Sequence, residues 1–256
     1  MGKYIFHEFN RALHRRYTLF YIIGIFALCL IANAAVVGFR TIYGTNEGTY
    51  AYNLLVYATW CFVIPYYSCI FIADAIFGKD YPNPMIKDKN TNGLSRTQLY
   101  LSNLIAAVLL AVVFVVIAFI FLLATTALFQ IKDGMITGYE IRDFLKKMVI
   151  AVPLWIAGIS MGNMFLFMFE KKRWAFVGYF TVTLVIPRLI MLFAAEPFKW
   201  AVFRFLRTYT ITQNFSLIPY PADPARNVPL TIALGVIFTI ISTVIGCVYY
   251  NKKKFK

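Results

Sequence analysis

Ser160 sits in Gly158-Ile159-Ser160-Met161-Gly162, a match to the G-x-S-x-G pattern that raises a nucleophilic serine on a tight turn. A serine hydroxyl attacks a carbonyl only when a neighbouring base takes its proton. The two histidines of the chain, His7 and His14, both precede the first long apolar run. Neither is placed to serve Ser160, which excludes serine hydrolase chemistry. The same stretch also reads as G-x-x-x-G, small residues that let two helices approach closely, and that is the preferred reading. The four cysteines, Cys29, Cys61, Cys69 and Cys247, all lie inside apolar runs without C-x-x-C spacing. Buried small apolar residues are expected there rather than disulfides or a metal site. The chain carries no G-x-x-x-x-G-K-[ST] and no H-E-x-x-H. We therefore expect no catalytic residues, no metal and no cofactor bound by this chain.

Two charged residues interrupt apolar stretches. Asp74 lies one turn from one end of its run, where a nearby Lys or Arg is its expected partner. Arg188 follows Pro187. A central Arg in a membrane is costly, so the expected solution is a helix broken at Pro187 that lets Arg188 reach the surface. Aromatic and methionine side chains crowd two other runs: Tyr57, Trp60, Tyr66 and Tyr67 in one, and Trp155, Met161, Met164 and Phe165 in another. They fit a path for an apolar or amphipathic cargo, because such side chains adapt to varied shapes. Plain helix packing explains them as well.

The elements that must carry these residues follow from composition. Of 256 residues, 61% are hydrophobic and 14% charged, and the mean hydropathy is +0.69. A soluble domain with so few charges could not cover its own surface. The expected class is all-α integral membrane, one domain over residues 1–256. A bilayer core needs about 20 apolar residues per helix. Six runs satisfy that, at about 18–39, 51–77, 104–129, 148–169, 175–195 and 229–249. Pro65 and Pro153 should bend the second and fourth. The intervening segments 1–17, 78–98, 170–174 and 250–256 hold 15 Lys and Arg, against 9 in the alternate set. The positive-inside rule then places both termini in the cytoplasm. The net charge of +14 is assigned to membrane orientation and anionic lipid rather than nucleic acid, since no nucleic-acid-reading motif accompanies it.

Three segments outside the runs carry pattern. Over residues 3–16, Ile5, Phe9, Ala12 and Leu13 form one apolar stripe, which predicts an amphipathic helix at the membrane surface. In 78–98, turn signals precede a short helix at 84–89, and Ser95 is placed to cap a helix that starts at Arg96 and runs on into the third span. In 196–228, Phe198, Val202, Phe205 and Leu206 form another apolar stripe with Trp200 and Phe203 beside it, which predicts short interfacial or re-entrant helices.

Taken together the chain resembles the ABC-2 type permease family, the membrane subunits of ATP-binding-cassette exporters. The resemblance rests on Phe6-His7-Glu8-Phe9-Asn10-Arg11 ahead of Arg15-Arg16, on Phe71-Ile72-Ala73-Asp74, and on Gly93-Leu94-Ser95-Arg96-Thr97-Gln98-Leu99-Tyr100. It extends to the six runs and the basic tail of residues 251–256. It implies an N-terminal elbow helix over residues 1–17 and short outer helices between spans 5 and 6. It further implies a permease dimer with its own kind or a similar permease, in the bacterial plasma membrane. Each copy would dock a separate ATPase subunit that binds the ATP and magnesium. Glu8, Arg11, Asp88, Ser95 and Arg96 fall at the docking positions, and Pro187, Arg188, Trp200 and Phe203 at the outer gate. The lysine usual after the Ser-Arg stretch is replaced by Asn103. The implied cargo is hydrophobic or amphipathic, best a peptide such as a toxin or bacteriocin. An ion-coupled secondary transporter and a non-transporting membrane scaffold are the alternatives.

Overall fold

A computed structural model describes residues 1–44, 50–77, 93–130, 136–196, 198–223 and 225–252. The regular elements among them are helical: α1 (Gly2–Leu13), α2 (Arg16–Tyr43), α3 (Ala51–Trp60), α4 (Val63–Phe77), α5 (Arg96–Phe129), α6 (Gly138–Met168), α7 (Lys172–Phe180), a π-turn (Thr181–Val185), α8 (Ile186–Ala194), α9 (Ala201–Thr208), α10 (Ile211–Leu217) and α11 (Val228–Lys252). Asp88 and the helix expected at 84–89 lie outside the described residues.

Among the described residues five helices are long and apolar enough to cross a membrane: α2, α5, α6, the continuous α7–α8 and α11. Their outward faces are apolar, with Leu19, Phe20, Ile23, Val112, Val116, Ile240 and Val244 all exposed. Water would not tolerate such a surface, and lipid would. The chain is thus a multi-pass membrane protein. The continuous run expected at 51–77 is instead two helices, α3 and α4, which pass the same test together but meet at 62°.

Pro65 accounts for that break. Its ring excludes the carbonyl of residue 61, and it has no N–H to donate there. The chain tightens to compensate: Ile64 N–H donates to the Cys61 carbonyl at 2.9 Å, and Cys61 N–H to Ala58 at 3.1 Å. The Trp155 indole N–H then donates to the Phe62 carbonyl at 2.8 Å, which ties the corner to α6.

α6 is the hub. It packs against α4, α11, α7 and α3, and 72% of its most apolar stretch is buried against 6% for α2. Two sets of small residues permit this. Gly158 and Gly162 face α4, where a Cβ on Gly162 would stand 3.0 Å from the Ile70 Cα. Gly235 of α11 faces Pro153, where a Cβ would meet the proline backbone at 2.6 Å. Ser160 points to α11, with Thr243 Oγ1 at 2.9 Å and the Ser242 hydroxyl donating to it at 2.7 Å. It belongs to a knot of hydroxyls, and G-x-x-x-G is the reading that the packing bears out.

Two helix starts are set by capping boxes. Ser95 accepts from Gln98 N–H at 3.2 Å while Gln98 Oε1 accepts from Ser95 N–H at 3.0 Å, so α5 begins at Arg96 as the sequence predicts. Thr137 and Glu140 form the second box, and α6 begins at Gly138, ten residues before the expected span. The difference has a plain cause. Hydropathy marks only the stretch that suits lipid, whereas the cap and the Asp143–Lys147 pair at 2.7 Å carry the helix further.

Candidate functional site

One end of the bundle gathers α1, the C-termini of α4 and α11 and the N-termini of α5 and α7. Arg15 donates to the Ala75 carbonyl at 2.6 Å, and Arg11 to the Ile76 carbonyl at 3.3 Å. Both carbonyls belong to the last turn of α4, where the helix dipole is negative. Arg11 also pairs with Glu8, which is buried. Arg96 donates to the Asn251 carbonyl near the end of α11 at 3.1 Å, and Asn251 returns a bond to Thr97 at 2.9 Å. Lys172 reaches Asp74 at 2.6 Å, the partner expected for that carboxylate. The stripe of Ile5, Phe9 and Leu13 packs on the protein core. Among the candidate docking residues, Glu8 and Arg11 thus also hold α1 in place, Ser95 caps α5, and Arg96 clasps α11.

Towards the other end lies a cleft of about 160 Å³. Its walls come from the α3–α4 corner (Trp60, Val63, Tyr67), from α8 (Pro187, Arg188, Met191), and from α9 and α10 (Arg207, Thr210, Thr212, Gln213, Ser216). Each wall has a structural cause. The bend at residues 61–62 swings α3 aside and leaves a corner for α10, whose Phe215 packs on Tyr66 and Trp155 with ring centroids 5.5 and 6.4 Å apart. Asn214 locks α10 there. Its Nδ2 donates to the Thr208 and Thr210 carbonyls, and its Oδ1 accepts from Thr231 of α11 at 2.9 Å. Gln213 and Ser216 are thereby fixed at the rim.

The α8 wall departs from expectation. The helix does not break at Pro187. It passes through a π-turn and continues to Ala194. The π-turn supplies the slack that the proline ring and its missing N–H require, and Thr183 bonds back to the Tyr179 carbonyl at 2.8 Å. Arg188 consequently sits inside a continuous helix, about 24 Å along the axis from Lys172. It is exposed and has no hydrogen-bond or ion-pair partner among the described residues. Arg207 is half-buried, and its Nε donates to Gln213 Oε1 at 2.8 Å. No Asp or Glu among the described residues lines the cleft.

The cleft unites Trp60 from the expected cargo path with Pro187 and Arg188 from the expected outer gate. The remaining path residues lie elsewhere: Tyr66, Trp155, Met161 and Phe165 are buried in helix packing, and Tyr57 and Met164 are half-buried. Trp200 and Phe203 cluster around Phe193, with Trp200 stacked on it at 5.2 Å. Tyr67 was among the aromatic residues expected along the path, whereas Met191, Arg207 and the α10 residues of the cleft escaped the sequence reading of this site. Arg207 had a signal, since it lies on the amphipathic segment 196–228, but nothing in the chain order links it to Arg188. No family model matches the chain, and no curated protein matches it in sequence.

Proposed function

We propose that the chain is the membrane permease subunit of an ATP-driven ABC exporter. It would move a hydrophobic or amphipathic cargo, best a peptide such as a toxin or bacteriocin, out of the cell by alternating access. In this reading α3 and α4 form a broken sixth span, α1 is the elbow helix, and the end that carries α1 faces the cytoplasm. Both termini are then inside the plasma membrane. A separate ATPase subunit supplies ATP and magnesium chemistry, and a second permease copy completes the dimer.

The observation that supports this most is the seat of α1. It is bound to the last turn of α4 by Arg11 and Arg15, and it packs along the first turns of α5. Those two helices flank segment 78–92. A partner that grips α1 and that segment would therefore push on α4 and α5 together, and α4 leads directly to the corner beneath the cleft. Asp74, buried and paired with Lys172, favours a second reading, ion-coupled secondary transport, in which that carboxylate would exchange its partner.

The test is affinity purification of the tagged chain from gently solubilised native membranes, with co-purified subunits identified by mass spectrometry. A near-stoichiometric protein carrying a P-loop, lost on Asp88→Ala with Arg96→Ala, is the expected result. A chain that purifies alone, together with proton-dependent uptake abolished by Asp74→Asn, would replace the ABC reading with the second one.

A further inference from the structure

The cleft between the α3–α4 corner, α8 and α10 presents a chemical problem that the protein itself does not solve. Arg188 and Arg207 line one cleft, and no carboxylate among the described residues lines it. Trp60, Val63, Pro187 and Met191 make part of the wall apolar, which lowers the local dielectric and strengthens the repulsion between two like charges. At the opposite end of the bundle Arg11, Arg15, Arg96 and Lys172 each have a carbonyl or carboxylate. Here Arg188 has neither, and Arg207 spends only its Nε on Gln213. The free guanidinium edges are forked donors, and phosphate oxygens match them in geometry and charge. A phosphate has more anionic oxygens than a carboxylate and can accept bidentate bonds from both guanidinium groups at once.

The rest of the wall narrows the ligand further. Thr210, Thr212, Gln213 and Ser216 supply polar groups on one side. On the other, Trp60, Ile64 and Met191 are exposed next to the cleft, apolar surface that continues away from it. A site with paired cations, hydroxyls and an apolar exit fits an anion joined to a hydrocarbon. The volume of about 160 Å³ is that of about five waters at ~30 Å³ each. It admits a phosphate and its linker. We propose that this cleft binds the phosphate headgroup of one anionic phospholipid, held between Arg188 and Arg207, with its acyl chains lying over Trp60, Ile64 and Met191. The proposal does not depend on the transporter reading.

Native mass spectrometry of the detergent-purified full chain tests it, with phosphatidylglycerol, phosphatidylcholine and inorganic phosphate as probes. The wild type should retain one phosphatidylglycerol at concentrations about tenfold below those needed for phosphatidylcholine. Arg188→Gln with Arg207→Gln should weaken phosphatidylglycerol at least about tenfold. Lys199→Gln with Arg204→Gln removes the same charge from exposed positions outside the cleft and should leave binding unchanged. Arg188→Gln alone, at an exposed position, keeps the test valid if the double variant misfolds by circular dichroism, and it too should lose phosphatidylglycerol. Equal retention by the cleft variants, equal loss in the control pair, or equal affinity for phosphatidylcholine would each overturn the proposal. Displacement of the lipid by millimolar inorganic phosphate would assign the cleft to the free anion and overturn the lipid form.

Discussion

Arg15, at the turn between α1 and α2, and Arg188, on α8, are both cations of a membrane protein, and their surroundings are opposite. Arg15 points at the last turn of α4 and donates to the Ala75 carbonyl at 2.6 Å. Arg188 projects from an unbroken helix into a cleft without an acid among the described residues. The same contrast holds for their neighbours. Arg11, Arg96 and Lys172 close helix ends or pair with Glu8 and Asp74, whereas Arg207 keeps most of its fork open. A cation that serves folding is surrounded by the carbonyls it neutralises. Arg188, without such a partner among the described residues, gains less from the fold, and the proposed anion would supply what is missing.

That contrast can be broken by measurement. The largest effect is expected for Arg11→Ala, which leaves the buried Glu8 carboxylate without its guanidinium. Removing one partner of a buried pair costs about 3 kcal/mol, seen as a large fall in thermal midpoint in detergent, and Glu8→Gln in the same chain should restore much of it. Arg15→Ala should cost about 1.5 kcal/mol, the worth of one hydrogen bond from a charged donor. Asp74→Asn should cost about 1 kcal/mol or less in stability, because Lys172 is half-exposed and can turn to solvent or headgroups. Arg188→Gln should change stability by less than about 0.5 kcal/mol, while phosphatidylglycerol retention falls. If Arg188→Gln destabilised the protein as much as Arg15→Ala, the cleft cation would be structural and the comparison would fail.

Legibility in the sequence followed the range of the interactions. The start of α5 was readable because Ser95 and Gln98 are three residues apart and satisfy each other. The close seat of α6 was readable because Gly158 and Gly162 are one turn apart. Thr137 and Glu140 carried the same signal as Ser95 and Gln98, but charges at Arg142, Asp143, Lys146 and Lys147 hid that helix from a search for apolar runs. Pro65 announced a bend. The 62° corner also needed Trp155 of α6 to bind the Phe62 carbonyl, 93 residues away in the chain. Pro187 announced a break that did not occur, since a π-turn took up the strain.

The amino-acid sequence alone determined that this chain lives in a membrane as a bundle of helices. That outcome depends on summed hydrophobicity and on pairs of residues within a turn of one another, both local quantities. It also placed both histidines before α2, far in the chain from Ser160. Tertiary structure decided which cations are paired and which are open. Arg188 and Arg207 meet around one cleft only because α3 bends away, α10 fills the corner and α8 runs straight through Pro187. Each of those depends on contacts between residues far apart in the chain, and no local pattern encodes them.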